Sequence, residues 1–450
     1  MTYAPWSRRE AISETAPALR RALRVRWLIL LVPASIYCFS YFHRVAPSVV
    51  ATDLMRAFSI TAASLGNLIA IYPYVFAAMA LVAGSLADTL GPRLTLALGA
   101  TTMGLGAALF GLAPTFGVAH GGRLLVGLGA SVILISWLSL SAEWFRPDEF
   151  ATISGSTQTV GSIGALVAST PLALLVESIG WRETFVLIGA VTLGLGLAAL
   201  FFIRDKPEAM GLPAINPERQ GRAGISLPEV LRGIPPIMAN PRTWPPVLAS
   251  AGVYAGYIAF FGLWGVPYLT QVYGLSRIQA ANVISLLAIG LGVGAPVVGW
   301  ISDRWRRRRR LPFVTLIAIY ALCWTPLVLP PDFRLPMEQL AIVFFIMGLA
   351  SAGVVLVWSC VREVNDPERV GITIGFCNLP MFLAFALLQW VMGVILDAGW
   401  TGLISAGARI YPPEAYRAAF TVCFGTALVA LILACLVTET HCRNVWQPHE

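Results

Sequence analysis

Gly84-Ser85-Leu86-Ala87-Asp88-Thr89-Leu90-Gly91-Pro92-Arg93 is a short polar hinge between two apolar runs, 64–84 and 94–113. Each run is about 20 residues long, enough to cross roughly 30 Å of hydrocarbon. A carboxylate such as Asp88, placed at a helix end, can accept hydrogen bonds and meet the positive N-terminal dipole of a neighbouring helix. The same arrangement returns as Gly299-Trp300-Ile301-Ser302-Asp303-Arg304, between the runs 277–300 and 312–330. Working outward from these hinges, further runs lie at 27–50, 120–142, 151–176, 184–203, 247–270, 339–361, 370–396 and 418–437, giving twelve spans.

The whole composition agrees with that count. Of 450 residues, 57% are hydrophobic and 12% charged, against about 25% charged in soluble domains. This excludes an ordinary soluble enzyme and predicts an all-α membrane protein. The net charge of +8 would suggest nucleic acid in a soluble chain, but here it follows the excess of Lys and Arg in cytoplasmic loops. Twelve spans put both termini on one side, and that side holds 23 of the Lys and Arg residues against 6 opposite. The reading is therefore a multi-pass protein of a prokaryotic cytoplasmic membrane with both termini cytoplasmic. The run Arg306–Arg310 fits orientation and anionic headgroups better than nucleic acid. The seven cysteines form no CxxC or Cys/His cluster, so neither disulfides nor structural metal are expected.

The segment 204–246 is the long polar interruption, with nine prolines and six basic residues, and reads as a tether. The expected organisation is a tail 1–26, a six-helix bundle 27–203, the linker 204–246, a second six-helix bundle 247–437 and a tail 438–450. The halves echo each other: Gly84 and Asp88 answer Gly299 and Asp303, Gly155 answers Gly375, and Trp181 answers Trp400. Similar offsets indicate a parallel duplication, the architecture in which substrate sits between two rocking halves.

With its twelve runs and two hinge motifs, the chain resembles the major facilitator superfamily over nearly its whole length. The resemblance implies a secondary transporter that functions as a monomer. It also implies roles for Gly84, Asp88, Gly91, Arg93, Asp303 and Arg304 in conformational gating. In the outward-facing state Asp88 would dock near Val370–Gly371 and Asp303 near span five. Thr89 and Pro92 stand where the family is often basic.

The first span holds Tyr37, Tyr41, Arg44 and Ser48 at i, i+4, i+7 and i+11, one helical face. An arginine inside a span costs about 2.5–3.5 kcal/mol on insertion scales, so it should face the interior or a watery cavity. No Asp or Glu sits mid-span to pair with it. Its fork suits a carboxylate or phosphate, which makes Arg44 the expected anchor of an anionic solute. The segment also resembles the first span of the anion:cation symporters, with His43-Arg44 where that group has Asp-Arg. Ala130 similarly stands where that group often has an acid. His43 is then the candidate proton carrier, or alternatively a neutral histidine bonded to a nearby carbonyl. Arg123, in a glycine-rich fourth span that resembles the family's arginine motif, is either a gating residue or a structural donor to carbonyls.

In span seven, Tyr254 and Tyr257 are cavity candidates, whereas Trp264 and Tyr268 fit an interfacial aromatic belt. Gln158 and Asn378, with Asn282 and Gln389, are mid-span polar groups that should avoid lipid. There is no P-loop, HExxH or GxSxG, so no cofactor, metal or covalent chemistry is expected and the chain is not read as an enzyme. The leading expectation is proton-coupled symport of a small organic anion across the bilayer. Alternatives are proton-driven efflux of amphipathic compounds, transport of a dipeptide or other zwitterion, and a nontransporting receptor or assembly factor that kept the fold.

Overall fold

The computed structural model describes residues 6–79, 82–215, 227–302, 308–330 and 333–447. Asp303 and Arg304 lie outside the described residues, as does the side chain of Asp88. Twelve helices are long and apolar enough to span a membrane: α1 (Arg20–Val45), α2 (Ala62–Met79), α3 (Pro92–Gly111), α4 (Phe116–Trp144), α5 (Ser156–Ile179), α6 (Trp181–Phe202), α7 (Pro241–Tyr273), α8 (Arg277–Trp300), α9 (Arg310–Val328), α10 (Met337–Val364), α11 (Val370–Ala398) and α12 (Pro413–Cys435). Helices satisfy every backbone polar group internally, which the hydrocarbon phase requires. They form two six-helix bundles.

Proline and local turns break the regularity at defined places. Pro47 starts a separate helix, Pro47–Phe58, directly after α1, because proline lacks the N–H that would continue the ladder. Helix α7 contains a π-turn, Phe260–Trp264, and α10 a 3-10 turn, Ala352–Val355. Pro73, Pro296, Pro326 and Pro380 lie inside α2, α8, α9 and α11.

The bundles meet along α2 against α11 and α5 against α8. The first crossing is close because of glycine: a Cβ on Gly66 would lie 2.6 Å from the backbone oxygen of Gln389, and one on Gly393 would collide with the oxygen of Ala62. Polar bridges reinforce the junction at the end away from the chain termini. There Arg277 pairs with Asp53 at 2.7 Å and Thr170 donates to Asn282 Oδ1 at 2.5 Å. At the terminus end, the pairs Arg26–Glu149 and Arg309–Glu363 are each internal to one bundle.

Two sequence expectations change here. Trp264 and Tyr268 form no interfacial belt: both are buried, Trp264 donates to the Gln389 oxygen at 3.4 Å, and Tyr268 packs on Tyr273, Tyr416 and Phe420. The reason is that α7 is enclosed by α11 and α12, so its far end meets protein rather than headgroups. Arg309 is not a headgroup contact either, being 3% exposed and bonded to both oxygens of Glu363.

Candidate functional site

A cavity lies between the bundles. The first bundle contributes Tyr37, Tyr41, Arg44 and Gln158, with Phe76 and Ser162; the second contributes Tyr254, Tyr257 and Asn378, with Trp358, Met381 and Phe382. All seven residues read from the sequence as substrate contacts therefore line one space. Ser48 does not line it, because the break at Pro47 takes it out of register with α1.

Arg44 is 4% exposed and has no ion pair among the described residues. Nη1 donates to the Tyr254 hydroxyl at 2.9 Å and Nη2 to the Tyr72 hydroxyl at 3.4 Å, while Nε has no partner. Aromatic faces surround the charge: its carbon stands 4.2 Å from the Tyr41 ring centre, 5.2 Å from Phe382 and 5.5 Å from Phe76. Such contacts stabilise a desolvated cation by about 2 kcal/mol or more, yet they supply no negative charge. Tyr41 reaches this position by lying against Gly161 of α5, where a Cβ would come 2.9 Å from its ring. Phe76 and Phe382 stack across the bundles at 4.1 Å and 17°. Thus a positively charged, hydrogen-bonding fork is held at a junction of both bundles with donors to spare.

The other candidates sit elsewhere. Arg123 is 1% exposed, donates to the His43 backbone oxygen at 3.0 Å and lies 5.5 Å from the Tyr72 ring, which is the geometry of a donor tying α4 to α1. The His43 ring is fully buried and faces α6, with Nε2 3.5 Å from the Thr192 hydroxyl; the structure does not bring it to the cavity. Arg93 donates from its backbone to Asp205 at 2.7 Å and from Nε to the Leu200 oxygen at 3.0 Å, joining α3 to the end of α6. Gly91, at φ +82°, packs on the same Asp205 carboxylate, and Gly84 faces open space.

Sequence reading missed Tyr72, Phe76, Trp358 and Phe382. Tyr72 and Phe76 share an i, i+4 face around Pro73, a pattern visible in the sequence. Trp358 and Phe382 carry no local mark, since only the packing of α10 and α11 turns them inward.

Comparison with known proteins settles the family. The model for the Major Facilitator Superfamily matches residues 34–337 and, overlapping it, 247–446. The chain belongs to this superfamily. It is a membrane transporter by family, not an enzyme. The chain is 24% identical to the membrane sensor protein UhpC of Salmonella typhimurium over 82% of this chain and 85% of that one. It is 24% identical to the probable sulfoacetate transporter SauU of Cupriavidus necator (84% and 89% covered). The hexuronate transporter of Bacillus subtilis is also 24% identical (80% and 85% covered). Among solved structures, a bacterial homologue of human lysosomal Spinster, inward-facing and unoccupied, superposes with a TM-score of 0.74 at 18% identity, covering 94% of this chain and 99% of that one.

Proposed function

We propose that the protein carries a small organic anion across a prokaryotic cytoplasmic membrane by alternating access. The observation that carries this is the buried Arg44 guanidinium, exposed to the central cavity and paired with phenols instead of a carboxylate. A cation so placed needs an anion to complete it, and its remaining N–H groups can hold a carboxylate or phosphate in bidentate fashion. The names of the relatives, which specify sulfoacetate and hexuronate, support the same class of solute. Bundles 27–203 and 247–437, joined by the linker 204–246, would rock about this site.

The excess of Lys and Arg at the terminus end supports placing both termini in the cytoplasm. The polar bridges away from the termini then close the outer face, the arrangement of an inward-facing carrier. His43 is the candidate proton carrier of the sequence reading, with a neutral histidine as its alternative, and its place against Thr192 outside the cavity favours the neutral form. His43→Gln should abolish the pH dependence of transport if it couples protons, and unchanged dependence removes it from that role.

The deciding experiment is uptake and counterflow in proteoliposomes with wild type and Arg44→Gln, across carboxylates and sugar acids. Anion flux that disappears in a folded Arg44→Gln protein supports the reading, and flux of cations sinks it. A second reading is a sensor that binds its anion without moving it, favoured by the name of UhpC. Saturable binding with no counterflow, and cavity-mouth cysteines whose labelling never changes reciprocally, would select it.

A further inference from the structure

We infer that the solute is an anion of single charge with a flat, apolar body, of the aromatic monocarboxylate class; this rests on Arg44 being the anion anchor. The cavity walls are unlike one another. On the first bundle Arg44 is the charged group, with Tyr37, Tyr41 and Gln158 beside it. Facing it from α7, α8, α10 and α11 the lining is mainly aliphatic, with Ile258, Leu291, Val354 and Met381, and is broken by the polar groups of Tyr257 and Asn378. A solute filling this space places its charged head at α1 and its body against aliphatic side chains. Rings at Phe76, Phe382 and Trp358 add faces on which a flat body stacks.

The charge count follows from the same wall. Among the described residues Arg44 is the cationic side chain that lines the cavity. Of the other buried cations of the first bundle, Arg123 is directed to the His43 carbonyl and Arg26 is paired with Glu149, and neither is part of the lining. A second anionic group on the solute would be buried without a cation, and burying an unpaired charge is strongly unfavourable. A body bearing many hydroxyls would leave several of them against aliphatic carbon, each unmade hydrogen bond weakening binding. Gln158, Asn378, Ser162 and Ser351 offer neutral partners that suit a few hydroxyl or carbonyl substituents.

The test titrates the purified full-length protein in detergent with 3-phenylpropionate, terephthalate, glucuronate and benzyl alcohol. These present an aromatic monoanion, an aromatic dianion, a polar monoanion and a neutral ring. Binding is read by calorimetry, with quenching of tryptophan emission as a second readout. The expected order puts 3-phenylpropionate about tenfold or more ahead of the other three, with its binding lost in Arg44→Gln. Tighter binding of terephthalate or glucuronate, dependent on Arg44, overturns the single-charge apolar class and leaves the anion anchor standing. Benzyl alcohol binding as well as 3-phenylpropionate, or equal binding in Arg44→Gln, overturns both. Failure of 3-phenylpropionate to bind the folded wild type overturns the class outright. If Arg44→Gln does not fold, the wild-type ranking of the four probes still decides.

Discussion

The carboxylate of Asp397, in the last turn of α11, caps the first turn of α2: Oδ1 accepts from the Ala62 N–H at 3.1 Å and Oδ2 from the Ala63 N–H at 2.8 Å. Tyr411 completes the cap, donating its hydroxyl to Asp397 at 2.8 Å while accepting from Ala62 at 3.0 Å. Arg409 pairs with the same carboxylate at 3.3 Å. A negative charge on a helix N-terminus is stabilised by the unpaired N–H groups and the helix dipole, and here it joins one bundle to the other. Asp397→Ala removes that contact and should shift the balance away from the state sealed at this end by about 1–2 kcal/mol, five- to thirty-fold. The check is thiol labelling of single cysteines placed beside Ala63 and beside Asn378. Labelling from the Ala63 side should rise as labelling from the terminus side falls; an unaltered pattern removes the latch.

Gly66 should act on the same equilibrium by geometry alone. Its added Cβ meets the Gln389 backbone 2.6 Å away, and backbone cannot swing aside as a side chain can. Gly66→Val is expected to separate α2 from α11, read as a longer spin-label distance across the sealed end. An unchanged distance would show that the crossing has slack.

At Arg44, charge alone is not sufficient. The guanidinium reaches Tyr254 and Tyr72 with two different nitrogens, whereas a lysine ammonium is a single point that cannot span both and still hold a carboxylate. Arg44→Lys should weaken anion binding about tenfold or more; near-wild-type affinity by titration would contradict the bidentate role.

Glu149 provides a pH signature outside the spans. The Arg26 guanidinium donates to both of its oxygens, at 2.6 and 2.8 Å, and this holds its carboxyl below the usual carboxylate range. Because the folded-state value is the depressed one, the stabilisation is complete above the ordinary carboxylate range and is lost as the pH falls through the lowered value. Glu149 is 34% exposed at the side chain, so solvent screening limits the effect to about 0.5–1 kcal/mol. The melting temperature of Glu149→Gln should lie below wild type at pH 7 and converge with it in acid; a constant offset across pH would refute the linkage.

The Arg309–Glu363 pair is 3% exposed on both sides and is bound further by Ser302 to the arginine and by Thr440 to the glutamate. Breaking one partner of a buried pair costs about 3–5 kcal/mol, while replacing both by apolar residues can be neutral. Glu363→Leu should destabilise strongly, and Arg309→Met with Glu363→Leu should recover much of the loss in a thermal melt. No recovery would mean that Ser302 and Thr440, not the charges, hold this end of α10.

What the sequence revealed depended on how local each feature was. Tyr37, Tyr41 and Arg44 could be placed on one face because they share one uninterrupted helix, and Tyr254 and Tyr257 follow the same logic in α7. Asp397 and Ala62 are 335 residues apart, and nothing near either one signals their meeting. The hinge motifs drew attention to carboxylates at the terminus end, yet the described carboxylate cap between bundles is at the other end. Ser48 illustrates a failure of periodicity, since one proline ended the helix whose spacing placed it. Arg309 illustrates a failure of composition: in a run of five arginines it reads as surface charge, and only the position of Glu363 turns it inward.

Tyr72 stands between two buried cations, its ring centre 5.7 Å from the Arg44 guanidinium and 5.5 Å from that of Arg123. Among the described residues no carboxylate pairs with either guanidinium, so two like charges face one phenol ring and repel each other. An anion bound at Arg44, as proposed, would offset that repulsion as well as add contacts. The unliganded protein should be the fragile form during purification, and a bound anion should raise its heat resistance by more than its few hydrogen bonds would suggest.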